Sequence, residues 1–274
     1  LSQHPLLKKV RNAHPELPEE TWLQALPNLK EYIRQREHCK QCPGLHQCPN
    51  MLPGHYPTLH IYAGMIELKL KECQYAYAER EEKKRKALIR CHQIPEEIKQ
   101  ASFDAIDFIH GQTDSFMEAV DRATDFCMQF KNGKPKKGLY LYGPFGVGKS
   151  YLAGAIMNEV AKYGVATLMM HTSALVSEFK DSIVNMQTTV SDKLEVLKTV
   201  PLLILDDIGS ESLTPWVRDD ILNVIFQYRM TEQLPTVFTS NLSIEELQEH
   251  FSYTFRGGHE PLKGARIIER IRHY

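Results

Sequence analysis

The chain has 274 residues, 42% of them hydrophobic and 24% charged, with 33 Lys and Arg against 34 Asp and Glu. That composition belongs to a folded globular protein of one or two domains and excludes a disordered chain. No apolar run approaches the roughly eighteen residues of a membrane span, the N-terminus lacks a charged-then-apolar leader, and a balanced charge excludes a bulk basic field for gripping nucleic acid. A cytoplasmic protein with no membrane contact, and with any DNA contact local, is expected. The balance hides a split: residues 1–100 hold 16 basic and 12 acidic side chains, and residues 101–274 hold 17 and 22.

Helical spacing opens the chain, with Leu6, Leu7 and Val10 and then Leu23, Leu26, Leu29, Tyr32 and Ile33. Residues 39–58 are rich in turn formers, and Leu59–Tyr62 and Met65–Leu70 flank Ala63-Gly64 as a short β-hairpin. Five of the six cysteines fall in the first third of the chain, and Cys39, Cys42 and Cys48 give C-x2-C-x5-C. So small a segment has little apolar material to bury, so a tetrahedral Zn²⁺ staple is predicted. The fourth ligand is Cys73, at the end of the hairpin, with His55 as runner-up and His46 and His60 as further candidates. Such a site is structural, because four protein ligands leave no open position. Cys91 and Cys127 read as small hydrophobes.

A charge-dense stretch, EREEKKRKALIR, follows and reads as a solvated helix or linker. It divides the chain into an N-terminal α+β domain (1–78), a charged linker (79–100) and a larger domain (101–274). In the larger domain, strands are expected at 138–142, 165–170, 202–206 and 236–240. Helices at 150–163, 173–184, 191–199 and 215–230 fill the gaps, an alternation that predicts an α/β domain with a parallel sheet covered on both faces.

The strongest motif is GPFGVGKS, which satisfies G-x-x-x-x-G-K-[ST] between a predicted strand and a predicted helix. Gly143, Pro144, Phe145, Gly146, Val147 and Gly148 form a loop whose backbone N–H groups can turn around phosphate oxygens at the positive end of a helix. Lys149 supplies a point charge to the β and γ phosphates, Ser150 a hydroxyl ligand to Mg²⁺, and Tyr151 continues the site. PLLILDDIG ends an apolar strand in two carboxylates. Behind a phosphate loop, Asp206 is suited to Mg²⁺ and Asp207 to polarising the attacking water, with Asn241 after LPTVFTS placed to hold that water. ATP or ADP and Mg²⁺ are the cofactors this pattern predicts.

These residues resemble the AAA+ ATPases over about 101–274, GPFGVGKS being similar to Walker A, LLILDDIG to Walker B and TSN to sensor 1. IPEEIKQASFDAID, GARIIERI and the cysteine-bearing N-terminal segment resemble the DnaC/DnaI branch of replicative helicase loaders. That resemblance implies ATP hydrolysis and binding of a hexameric replicative helicase through residues 1–78. It also implies delivery of the helicase to single-stranded DNA in primosome assembly, and self-assembly into a ring or spiral. Arg270 matches the family's arginine-finger position, which implies a role across a subunit boundary. The family's fifth strand and second sensor arginine are expected beyond Tyr274. Phe179 and Lys180 could offer single-stranded DNA a stacking face and a charge, but Leu175, Val176, Phe179 and Ile183 share core-facing spacing, which favours burial. Two other functions compete: a transposition-associated ATPase, disfavoured by the cysteine-rich segment, and a small-molecule kinase, which usually carries an Arg-rich lid not found here before Arg218.

Overall fold

The computed structural model describes residues 4–106, 114–133, 135, 137–184 and 190–273, which divide into two compact units at Lys84 and Arg85. In the first unit, helices α1 (Pro5–Ala13), α2 (Glu19–Gln24) and α3 (Leu26–Lys40) precede a hairpin of β1 (His55–Tyr62) and β2 (Met65–Glu72). Pro5 and Pro27 sit in the first turns of α1 and α3, where a missing N–H costs nothing. The strands pair antiparallel from His55 with Glu72 to Tyr62 with Met65, turning where the sequence pattern suggests and running further at the open end. Leu7, Trp22, Ala25, Leu29, Tyr32 and Ile66 form a core of their own, so this unit buries more than its turn-rich stretch led us to expect.

Helix α4 (Gln74–Leu88) spans the unit boundary, and β3 (Ile89–His92) follows directly. The segment read as a charged linker is therefore the end of a helix and a strand. After α5 (Glu96–Lys99) and α6 (Asp114–Lys131), the chain alternates β4 (Leu139–Tyr142), α7 (Lys149–Lys162), β5 (Thr167–His171), α8 (Thr172–Val184), α9 (Val190–Thr199) and β6 (Leu202–Asp206). A π-helical turn (Val217–Leu222) then leads into α10 (Asn223–Thr231), β7 (Thr236–Ser240), α11 (Ile244–Ser252), the small strands β8 (Tyr253–Thr254) and β9 (Gly258–His259), and α12 (Pro261–His273).

Five strands form one parallel sheet in the order β3-β5-β6-β7-β4. Beside the four strands expected from the sequence, β3 adds a fifth along the outer edge of β5 (Ile89 with Thr167, His92 with Met170), from the stretch read as a charged linker. Alternation along the central strands sorts their side chains to two faces. Leu202, Ile204 and Met169 join α6 and α7 in one core, while Leu203, Leu205, Met170 and Phe238 pack under α8 to α12 in the other. Phe179 is 1% exposed in that second core, so it offers no stacking face for DNA; Lys180 is exposed, and the side chain of Ile183 lies outside the described residues.

Candidate functional site

In open parallel sheets ligands bind beyond the carboxyl ends of the strands. Four loops meet there in this chain: those after β4, β5, β6 and β7. They enclose a cavity of about 400 Å³ whose walls include Gly146, Gly148, Lys149, Ser150, Tyr151, Asp206, Asp207 and Asn241. The three sequence motifs, scattered over a hundred residues, thus converge. Gly148 caps α7 in the left-handed region at φ +94°, a conformation glycine adopts freely, and a Cβ there would come within 3.2 Å of the Phe116 ring. Phe145, at the loop's crest, is 82% exposed.

Lys149 Nζ donates to the carbonyls of Gly143 (2.9 Å) and Pro144 (2.7 Å) and to Asn241 Oδ1 (2.8 Å). All three acceptors are neutral, which leaves the ammonium charge uncancelled by direct contact. Burial lowers the Lys149 pKa, and the nearby Asp207 and Asp206 carboxylates act in the opposite sense. A dianionic phosphate group would favour the charged form further, so the residues present fit a nucleoside triphosphate.

Asp206 ends β6 with its side chain buried, and its Oδ1 accepts a 2.6 Å hydrogen bond from Thr239 Oγ1. Asp207 takes up φ +57°, a strained conformation for a residue with a Cβ. Three contacts hold it there. Its N–H donates to Thr239 Oγ1 at 2.8 Å, Asn241 Nδ2 donates to its Oδ1 at 2.7 Å, and His171 Nε2 lies 3.6 Å from its Oδ2. Lys149, Asn241 and Asp207 therefore form one chain of polar contacts across the mouth of the cavity.

His171, Thr239, Glu97 and Ile98 also line the cavity and were not singled out from the sequence. Thr239 and His171 could have been suspected as polar residues at or near the carboxyl ends of apolar parallel strands. Glu97 and Ile98 reach the site from α5, which packs on α7 because Gly154 has no side chain: a Cβ there would lie 2.3 Å from the Ile98 carbonyl oxygen. Arg270 is not among the residues lining this cavity; it lies half-buried on α12, against α10.

The predicted zinc ligands behave differently. Cys39, Cys42, Cys48 and Cys73 are free thiols, and among the described residues no group of three or more His, Cys, Asp or Glu side chains converges as a metal site. Asn50 is buried at the junction the metal was expected to staple: its Nδ2 donates to Cys39 Sγ (3.3 Å) and to the His55 carbonyl (2.8 Å). Cys73 instead joins the hairpin through its backbone, its N–H donating to the Gly54 carbonyl at 2.8 Å. The His55 ring faces the Pro53 carbonyl at 3.2 Å.

Comparison with known proteins places these features in a family. The IstB-like ATP binding protein family matches residues 61–273, and the primosomal protein DnaI N-terminus family matches residues 1–70. The chain is 38% identical to the replicative helicase loader DnaI of Bacillus subtilis, over 90% of this chain and 78% of that protein. It is 28% identical to the replicative helicase loader DnaC of Escherichia coli K12, over 57% of this chain and 58% of that protein. A crystal structure of DnaI superposes with a TM-score of 0.57 at 42% identity, covering 69% of this chain and 93% of that one. A phosphate loop, a paired carboxylate strand end and a DnaI-type N-terminus in one chain thus agree with the matches: the protein belongs to the IstB-like ATP-binding family, in its DnaI helicase-loader branch.

Proposed function

We propose that the protein is an ATP-driven loader that binds the hexameric replicative helicase and helps deliver it to single-stranded DNA during primosome assembly in the cytoplasm. One observation carries this reading. The chain that assembles the nucleotide site in its second unit matches the DnaI N-terminus over residues 1–70 of its first. A transposition-associated ATPase shares the second unit's family, and a 31% identity over 38% of the chain links it to an insertion-sequence ATP-binding protein of Pseudomonas fluorescens. That likeness leaves the first unit unexplained.

In this reading the reaction is hydrolysis of ATP to ADP and phosphate. Backbone N–H groups from Phe145 to Ser150 cradle the phosphates at the N-terminus of α7, and Lys149 leaves its three neutral acceptors for the β and γ oxygens. The Ser150 hydroxyl and Asp206 would hold Mg²⁺, which neutralises charge on those oxygens. Asp207, fixed by Asn241, orients and polarises the attacking water. Arg270 acts on the ATP of a neighbouring subunit in a ring or spiral built on the helicase; its absence from its own cavity supports a role in trans.

Copurification with the cognate helicase, followed by mass measurement of the complex, tests the partner. Lys149→Ala is expected to lower nucleotide affinity tenfold or more, as the loss of a charge at the phosphates requires. Asp207→Asn is expected to keep nucleotide affinity and lose about 100-fold or more in turnover. Equal turnover for Asp207→Asn and wild type would overturn the water-orienting role.

A structural zinc held by Cys39, Cys42, Cys48 and Cys73 rests on thiol spacing alone. Metal analysis of reduced protein, with Cys73→Ser and His55→Ala as separate variants, decides it.

A further inference from the structure

Two basic side chains on α12 pair with carboxylates. Arg272 lies 3.2 Å from Glu245, and Lys263 lies 2.8 Å from Asp219. Arg270 is held differently. Its Nε donates to Gln227 Oε1 at 2.6 Å, and its Nη1 donates to Asn223 Oδ1 at 2.5 Å and to the Arg266 carbonyl at 3.0 Å. All three acceptors are neutral, and no carboxylate pairs with this guanidinium among the described residues.

The arrangement is specific in two further ways. Asn223 and Gln227 are four residues apart on α10 and therefore share one face of the helix. Gln227 is also locked in orientation, because its Nε2 donates to Thr231 Oγ1 at 3.2 Å and so turns Oε1 toward Arg270. A guanidinium carries five N–H donors. The Nε donor and both Nη1 donors are committed here, and the two on Nη2 face no partner among the described residues. The edge left open is thus a pair of N–H groups on one nitrogen.

We propose that Asn223 and Gln227 are positioning residues for Arg270: two amide oxygens that aim the guanidinium while leaving its whole charge for the γ-phosphate held by a neighbouring subunit. The inference rests on the finger role proposed for Arg270. Carboxylates at these positions would hold the arginine as firmly but would cancel the charge that the transition state needs. An arginine without a holder would keep its charge but would first have to lose the freedom of a long side chain. Neutral acceptors avoid both penalties. They also tie the finger to the helix between the Walker B strand and β7 of its own chain.

Mixed assemblies separate the holder from the finger. Helicase-bound mixtures of Arg270→Ala with Lys149→Ala contain productive pairs only where an intact pocket on the first chain meets an intact arginine on the second. They are expected to regain ATP hydrolysis that neither chain shows alone. When the second chain also carries Asn223→Asp and Gln227→Glu, the regained kcat is expected to fall tenfold or more. KM and the assembly mass should not change, because the working pocket belongs to the other chain, which is the same in both mixtures. Undiminished rescue by this triple variant overturns the positioning role. Failure of the simple mixture to regain activity overturns the finger role instead. Should the triple variant melt lower than Lys149→Ala, Gln227→Glu alone on the second chain is judged by the same comparison.

Discussion

Arg229 is fully buried, and its donors reach the ends of several elements at once. Its guanidinium donates to the carbonyls of Leu197 (3.0 Å), Lys198 (3.2 Å), Val200 (2.7 Å) and Pro235 (2.7 Å), and to Thr236 Oγ1 (2.9 Å). Those acceptors sit at the end of α9 and just before β6 and β7, so one side chain satisfies carbonyls that the sheet and helix leave over. Arg229→Met should cost about 3–5 kcal/mol, because it strands several buried acceptors at once. Urea denaturation measures this, and a loss under 1 kcal/mol would show that water replaces the guanidinium. Nothing in the sequence singles Arg229 out, since a cation on an amphipathic helix reads as exposed. Lys149, Ser150, Asp206, Asp207 and Asn241 were legible because each lies within a short contiguous motif. His171 and Thr239 were less so, because only the pairing of β5, β6 and β7 brings them to the cavity.

Among the elements, the attachment of α12 depends on a charged cluster at its N-terminus. Arg218, buried on the π-helical turn, donates to Asp219 Oδ1 (2.8 Å) and Glu260 Oε2 (2.5 Å), and Lys263 donates to Asp219 Oδ2 (2.8 Å). Burial opposes ionisation of Asp219, but the hydrogen bonds from Arg218 and Lys263 outweigh it and hold the pKa below the ordinary 3.8. Hydrogen bonds from the same two donors hold the Glu260 pKa below 4.5. With the folded pKa depressed, the unfolded chain takes up protons first as the pH falls. The stabilisation is therefore complete above about pH 5 and is lost as acid carries the carboxyls through their folded pKa values. Melting curves of wild type and Asp219→Asn should lie apart at neutral pH and draw together only as the pH falls below the ordinary 3.8. A constant gap would mean that the carboxylate's charge is irrelevant. Strands β4 to β7 and helices α7 to α10 were legible from their alternation, whereas α6, α11, the π-helical turn and β3 escaped it. Residues 215–230 read as one helix, but the π-helical turn before α10 has no sequence period to betray it. Ile89–His92 carry two charged-type residues in four and became a strand only through the free edge of β5.

At the scale of the whole molecule, the two units solve stability differently. The larger one sandwiches a sheet between two apolar layers, whereas the smaller one relies on a modest helix-and-hairpin core and on polar links such as Asn50. The sequence pointed to two domains but put the join in a charged spacer, because charge density resembles solvation whether or not the backbone is paired. Its placement of β3 in that spacer has a practical cost for anyone dividing the protein. A fragment cut at residue 101, where the motifs suggest the ATPase begins, discards Ile89–His92 and bares the hydrogen-bonding edge of Thr167–His171. An uncovered edge between apolar faces is a template for pairing with another copy. Residues 85–274 should therefore sediment as a single species, and residues 101–274 as a concentration-dependent mixture that precipitates on storage. Identical sedimentation of the two would show that the short strand is dispensable. If the fragments differ as expected, a short stretch outside every nucleotide motif, residues 85–100 with β3 in it, decides whether the isolated ATPase stays in solution.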